Sequence, residues 1–252
     1  MKTVTIDTVT LGEGKPKIIV PLVGRTKEEI IQEAEFVATV DCDIVEWRID
    51  FYEDILDFSA AAQFSKQVKK ILNKPLLVTF RTKQEGGELA LSDEKYFEMY
   101  RVLLNEGSFD LLDVELFMPA VGVGQTIELA HEKNKKIIMC NHDFDKTPAK
   151  EVIIERLCKM QELGADICKI AVMPQTTADV ITLLDATQEM YHKHADRPLI
   201  TMSMGSLGVV SRVSGATFGS SATFGAAKRP QLQGRYLLMS YVRFWKCYKR
   251  NR

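Results

Sequence analysis

Eight short apolar runs rich in β-branched residues recur along this chain: KIIVPLV from 17, DIVEWRID from 43, PLLVTFR from 75, LLDVELF from 111, KIIMCNHD from 136, ICKIAVM from 167, PLITMSM from 198 and SATFGAA from 221. The segments between them have helical periodicity and start signals. Thr26 with Glu29 forms a capping box, Ser92 stands as an N-cap, and Thr147 precedes Pro148 at a first helical position. Ile153, Leu157 and Met160 then mark one apolar helix face. Strands alternating with helices imply parallel pairing and right-handed crossovers, and eight such units in 252 residues fit a closed (β/α)8 barrel better than an open sheet. The residues ahead of 17, TVTIDTVTLGEGKP, read as an additional N-terminal β-hairpin. No low-complexity stretch or composition break marks a linker, so 1–252 is read as one α/β barrel domain.

Charge narrows the partners. With 33 basic and 34 acidic residues the formal net charge is −1, which gives no whole-chain field to attract nucleic acid or an anionic membrane. The sequence shows no apolar h-region at its start and no run of membrane-spanning length. The five cysteines, at 42, 140, 158, 168 and 247, form no CxxC pair, and several lie in apolar runs where a thiol acts as a small hydrophobe. The expectation is a cytoplasmic, unprocessed protein acting on a small molecule, with neither nucleic acid nor membrane as partner.

Lys169 is the residue that carries chemistry. It interrupts the run Ile167-Cys168-Lys169-Ile170-Ala171-Val172, where desolvation favours the neutral, nucleophilic amine and so a Schiff-base reaction. A lysine that snorkels into water from a strand end is the alternative. In a (β/α)8 barrel the site forms at the carboxyl ends of the strands. The period of two places Ile44, Glu46, Arg48 and Asp50 on one face, Thr79 and Arg81 on another, then Asp113 with Glu115, then Ile138, Cys140 and His142, with Met202 and Met204 as apolar walls beside the amine. Taken singly, Glu46 with Arg48 reads as a structural ion pair and His142 as a satisfied core histidine. Glu46, Asp50, Glu115 and His142 would make an oxygen-rich cation site, but Lys169 and two arginines oppose it, so neither a metal nor an organic cofactor is expected. His192 and His194 read as a solvated helix end. Gly205-Ser206-Leu207-Gly208, where such barrels often bind phosphate, keeps a class I Schiff-base aldolase acting on a sugar phosphate as an alternative.

The motifs EWRID at 46, FRTKQEGGE at 80, DVELF at 113, NHDFDKTP at 141, ADICKIAVMPQT at 165, ITMSMGSLGVVSR at 200 and FGSSATFGA at 218 together resemble the type I 3-dehydroquinate dehydratases of the shikimate pathway. The resemblance runs in order to about residue 229. It implies dehydration of 3-dehydroquinate to 3-dehydroshikimate, with Lys169 forming the imine, His142 acting as general acid and base, and Glu85 orienting His142. It further implies Arg212 for the substrate carboxylate and Glu46, Arg48 and Arg81 for the hydroxyls and polar wall. A homodimer is implied as well.

The resemblance weakens after Lys228. Family members continue with a Ser-Ala-Pro-Gly-Gln type segment whose serine and glutamine close over the substrate. Here Gln231 stands in place of the serine and Arg235 in place of the glutamine, and the last ten residues hold five basic and no acidic side chains. A stretch encoded GGC AGA TAT CTG TTG ATG AGT for Gly234 through Ser240 reads Gln-Ile-Ser-Val-Asp-Glu from its third base, so a frameshift near codon 230 would account for an atypical tail over 230–252. Ordinary divergence, or a tail whose Tyr241, Phe244, Trp245 and Tyr248 contact a partner or an anionic surface, are the other readings. An altered loop also leaves open an impaired barrel that binds ligand without efficient turnover.

Overall fold

The computed structural model describes residues 3–226. The expected hairpin is present as β1 (Val4–Ile6) and β2 (Val9–Leu11), antiparallel, with Asp7 in the left-handed region at its turn. Eight parallel strands follow: β3 (Lys17–Leu22), β4 (Ile44–Arg48), β5 (Leu76–Thr79), β6 (Leu111–Glu115), β7 (Lys136–Asp143), β8 (Ile167–Val172), β9 (Leu199–Ser203) and β10 (Ala222–Phe224). They pair in the order β10-β3-β4-β5-β6-β7-β8-β9. Closure comes from a parallel bridge between Leu199 and Ser220, where the Ser221 amide donates to the Leu199 carbonyl at 2.7 Å. The result is a (β/α)8 barrel in which each apolar run from the sequence is a strand.

Helices α1 (Lys27–Ala38), α2 (Phe58–Leu72), α3 (Asp93–Glu106), α4 (Ala120–Glu132), α5 (Lys150–Glu162), α6 (Thr177–Glu189) and α7 (Val209–Phe218) ring the barrel. The Thr26–Glu29 capping box starts α1, and Ser92 caps α3. Thr147 does not start α5. That helix begins at Lys150 without a side-chain cap, and the Thr147 hydroxyl instead donates to the Met173 carbonyl at 3.1 Å, tying the β7 loop to the end of β8. Ile153, Leu157 and Met160 are buried on α5 as expected, and His192 and His194 lie exposed in a π-helical turn over Met190–His194.

The strand period of two divides the core. Outward residues such as Val45, Trp47, Val78, Leu112 and Ile170 pack under the helices. Inward residues form two tiers. The lower tier is apolar: Ile19, Ile44, Leu77, Leu111, Ile138, Ile167 and Ile200, closed from beneath by Ile6 and Leu11 of the hairpin. Two residues further along the same strands the inward positions become Glu46, Thr79, Asp113, Cys140 and Lys169, all buried. One end of the barrel is therefore a hydrophobic plug and the other a polar chamber.

Three aspartates fix strand register at the amino end. The residue before β4, Asp43, accepts from the Ile18 amide at 2.7 Å, Asp110 before β6 accepts from Leu76 at 2.7 Å, and Asp166 before β8 accepts from Ile137 at 2.8 Å. Each of these aspartates also donates its own amide to the carbonyl of the residue it holds. A one-residue slip would turn each strand's inward set outward. Asp110 also ion-pairs with Lys69 of α2. Asp110→Ala is expected to cost about 1–3 kcal/mol, the range for losing a charged acceptor of a buried amide, seen as a lower urea midpoint with an unchanged slope.

Candidate active site

Lys169 projects into the polar tier from the third residue of β8 and is 2% exposed, so it does not snorkel to water. Nor is its ammonium unpaired, as the run alone suggested. Its Nζ lies 3.3 Å from Asp113 Oδ2 across the barrel and 4.5 Å from the centre of the Phe224 ring. Phe224 was missed in the sequence, although the period of two from Ala222 would have aimed it inward. That Asp113 is the partner depends on barrel closure, which no local pattern shows.

Asp113 is one of three carboxylates gathered by Arg81. The Arg81 guanidinium, 3% exposed, donates to Asp113 Oδ1 at 2.6 Å and Glu115 Oε1 at 2.8 Å, and approaches Glu85 Oε2 at 3.5 Å. Burial pushes the Asp113 carboxyl up, but Arg81 and then Lys169 bring it below its usual range. Burial would lower Arg81, yet these acidic neighbours hold it well above its ordinary value. Cys140 belongs to this cluster rather than acting only as a small hydrophobe. It donates to Asp113 Oδ1 at 3.0 Å, and burial keeps its thiol protonated, well above the usual range.

His142 follows on the inward face of β7. Its Nδ1 lies 2.9 Å from Glu85 Oε2, and the same oxygen accepts from the His142 backbone amide at 2.8 Å. Glu85 closes a 3-10 turn, Lys83–Glu85, whose N-cap Thr82 accepts from the Glu85 amide and donates its hydroxyl to Glu115 Oε2 at 2.7 Å. Burial lowers His142 well below its ordinary range, and Arg81, Lys169 and Arg48 add to the effect, so the imidazole is neutral. Both Glu85 oxygens face donors, because Asn141 Nδ2 donates to Oε1 at 3.0 Å. The imidazole proton therefore sits on Nδ1, and Nε2 carries the free lone pair. Burial and then Glu115 raise the Glu85 carboxyl to about 7, against the pull of Arg81, Asn141 and the His142 amide.

The remaining expected residues fall into place unevenly. Glu46 points inward and accepts from the Thr79 hydroxyl at 2.8 Å. It does not pair with Arg48, as the spacing suggested. Arg48 forks onto Asp50 at 2.8 Å through both Nε and Nη2, because the chain after β4 turns into a 3-10 segment, Ile49–Phe51, and brings Asp50 back beside it. Arg212 lies partly buried on α7 beyond the Gly205–Gly208 turn and makes no ion pair among the described residues. Gln231 and Arg235 lie outside the described residues, as does the rest of the tail. The cation site considered over Glu46, Asp50, Glu115 and His142 does not assemble, since Asp50 is bound to Arg48 and Glu115 to Arg81 and Thr82. The donor atoms that do cluster, on Glu85, Cys140 and His142, already hold the Arg81 guanidinium against Glu85 and Cys140. A groove of about 460 Å³ runs between α3 and α4 past Glu94, Phe97 and Arg101, outside the barrel and away from these groups.

These features define a class: a (β/α)8 barrel with a buried lysine amine and a carboxylate-bound imidazole at the carboxyl ends of its strands. The type I 3-dehydroquinase family model matches residues 18–239, and the chain belongs to that family. The 3-dehydroquinate dehydratase of Enterococcus faecalis is 49% identical over 253 residues, covering 100% of both chains, and that of Listeria monocytogenes is 52% identical over 93% of each. Among solved structures, the type I enzyme of Clostridium difficile with covalently modified comenic acid superposes with a TM-score of 0.94 at 44% identity, covering 99% of this chain and 98% of that one.

The Phe144 ring lies nearly parallel to the His142 imidazole, 6.4 Å between centres, and occupies the space where a side chain on Gly86 would stand. Gly86 is also in the left-handed region at φ 85°. Gly86→Ala is expected to cost about 1–2 kcal/mol in backbone strain and to displace Phe144, lowering turnover more than it raises KM. Urea unfolding and steady-state kinetics on the variant measure both.

Proposed function

We infer that this chain dehydrates 3-dehydroquinate to 3-dehydroshikimate through an imine on Lys169. The observation that carries this reading is the buried Lys169 amine facing the same chamber as the neutral imidazole of His142. Lys169 passes a proton to the imidazole and attacks the C3 ketone, and the carbinolamine loses water to give a protonated imine. That cation acidifies the C2 proton, which His142 Nε2 removes to leave an enamine. The enamine expels the C1 hydroxyl, which departs as water with the proton returned by His142, and hydrolysis of the product imine frees the lysine. Glu85 holds the Nδ1 proton and stabilises the imidazolium formed at each transfer. The reaction balances without a metal or organic cofactor. Neither the aldolase nor the impaired-barrel reading is favoured, since family and relatives agree on the dehydratase.

We place Arg212 on the substrate carboxylate, because its guanidinium is the one left without an acidic partner among the described site arginines. Glu46 and Arg48 meet the ring hydroxyls, and Arg81 forms the wall behind them. Gln231 and Arg235 complete the set from the tail. We further assign the chain to the cytoplasm, supported by its free cysteines Cys42, Cys140, Cys158 and Cys168, and to a homodimer, supported by its family resemblance. No helix among the described residues is long and apolar enough to cross a membrane.

Borohydride reduction in the presence of 3-dehydroquinate, followed by intact mass, is expected to give a stable adduct on the wild type and none on Lys169→Ala, while the absorbance of the conjugated enone reports product. Enone formation by Lys169→Ala at the wild-type rate would overturn the imine route. Arg212→Gln is expected to raise KM by roughly 10- to 150-fold, equivalent to about 1.5–3 kcal/mol of a charge-assisted pair, with a smaller change in kcat. Because the Glu85 carboxyl is raised to about 7, its ionised form is lost as pH falls through that value. A plot of kcat against pH should therefore descend on the acid side with an apparent pKa near 7, as the Glu85–His142 pair takes up a proton.

A further inference from the structure

We propose that Arg156, on the outer helix α5, is a positioning residue that acts through Asn141 to keep Glu85 set as the acceptor of the His142 Nδ1 proton. The inference rests on the dehydratase reading and deepens it.

Asn141 lies on β7 between two inward-facing residues, so its side chain leaves the barrel on the helix side, yet it is only 4% exposed. A buried asparagine amide can be turned two ways. In one it offers Nδ2 to Glu85, and in the other it sets Oδ1 against a carboxylate oxygen. Arg156 decides between them. Its Nη1 donates to Asn141 Oδ1 at 2.8 Å, and a guanidinium has no acceptor with which to satisfy the flipped amide. Nδ2 is thus directed to Glu85 Oε1 at 3.0 Å. With Oε1 so held, Oε2 is left for the His142 amide and ring.

Arg156 is itself held. It lies 3.7 Å from Asp143 Oδ2 and 5.4 Å from the Phe117 ring centre, with its side chain 21% exposed. The charged and titratable groups facing Glu85 are Arg81 from the end of β5, Glu115 from β6, and Cys140 and His142 from β7. Arg81 and the amide donors favour the carboxylate, while Glu115 disfavours it. Withdrawing the Asn141 bond tips this balance toward the protonated acid.

The test is the pH profile of kcat for wild type, Arg156→Met, Arg156→Lys, Asn141→Leu and the Met/Leu double variant, each checked for folding by circular dichroism. Arg156→Met is expected to move the acid limb up by roughly half to one pH unit, and so to lower kcat about three- to tenfold on that limb, with KM nearly unchanged. Arg156→Lys, which keeps a donor, should restore the limb. In the Asn141→Leu background Arg156→Met should have no further effect, because the two act in series. An unshifted limb in a folded Arg156→Met, a uniform loss of kcat at every pH, or additive effects in the double variant would each overturn the inference. Enone formation by the wild type separates these failures from failure of the dehydratase reading, which would show as no product from any variant.

Discussion

Everything at the carboxyl end of the barrel depends on one buried cation. Among the described residues, Arg81 is the single positive group that touches Asp113, Glu115 and Glu85 together. Its charge lowers the Asp113 carboxyl and opposes the burial that raises Glu85. Through Asp113 it bears on the Lys169 amine, and through Glu115 and Thr82 it bears on the turn that carries Glu85. Lys169 and His142 are thus tied to a shared electrostatic centre, though they stand on different strands. Burial first, and then the nearby cations Arg81, Lys169 and Arg48, favour the neutral imidazole of His142.

The division of the barrel into a dry half and a polar half follows from the strand period alone. Ile44 precedes Glu46 by two residues, Leu77 precedes Thr79, Leu111 precedes Asp113, Ile138 precedes Cys140 and Ile167 precedes Lys169. The same face of each strand supplies the hydrophobic closure first and the chemistry second. The aspartates that lock register at the amino ends therefore protect function as well as stability, because a slip in one strand would exchange an acid or amine for its apolar neighbour.

Those tiers are what made the fold and much of the site legible in the sequence. Eight β-rich runs, the hairpin, the Thr26–Glu29 capping box and the inward placement of Lys169 and His142 all follow from local pattern. What could not be read is the pairing between residues distant in sequence. Arg48 takes Asp50 rather than Glu46 because the chain turns into a 3-10 segment after β4. Lys169 meets Asp113 across the barrel, and Phe224 reaches the amine only once β10 closes beside β3. Thr147 likewise looked like a helix cap until Met173, 26 residues later, supplied its acceptor. Local signals set which way a side chain faces, while closure of the sheet sets what it meets.

The N-terminal hairpin gives the chamber a direction. Ile6 and Leu11 fill the amino end beneath the lower tier, so the barrel is a well with a sealed floor rather than a pipe. A reaction that releases water in forming an imine, again in eliminating a hydroxyl, and then consumes water to free its product cannot draw these from opposite sides. All of that traffic passes the rim where Arg48 and Phe144 stand. The order of events is thereby tied to one doorway, and whatever occupies it meters the solvent as well as the substrate.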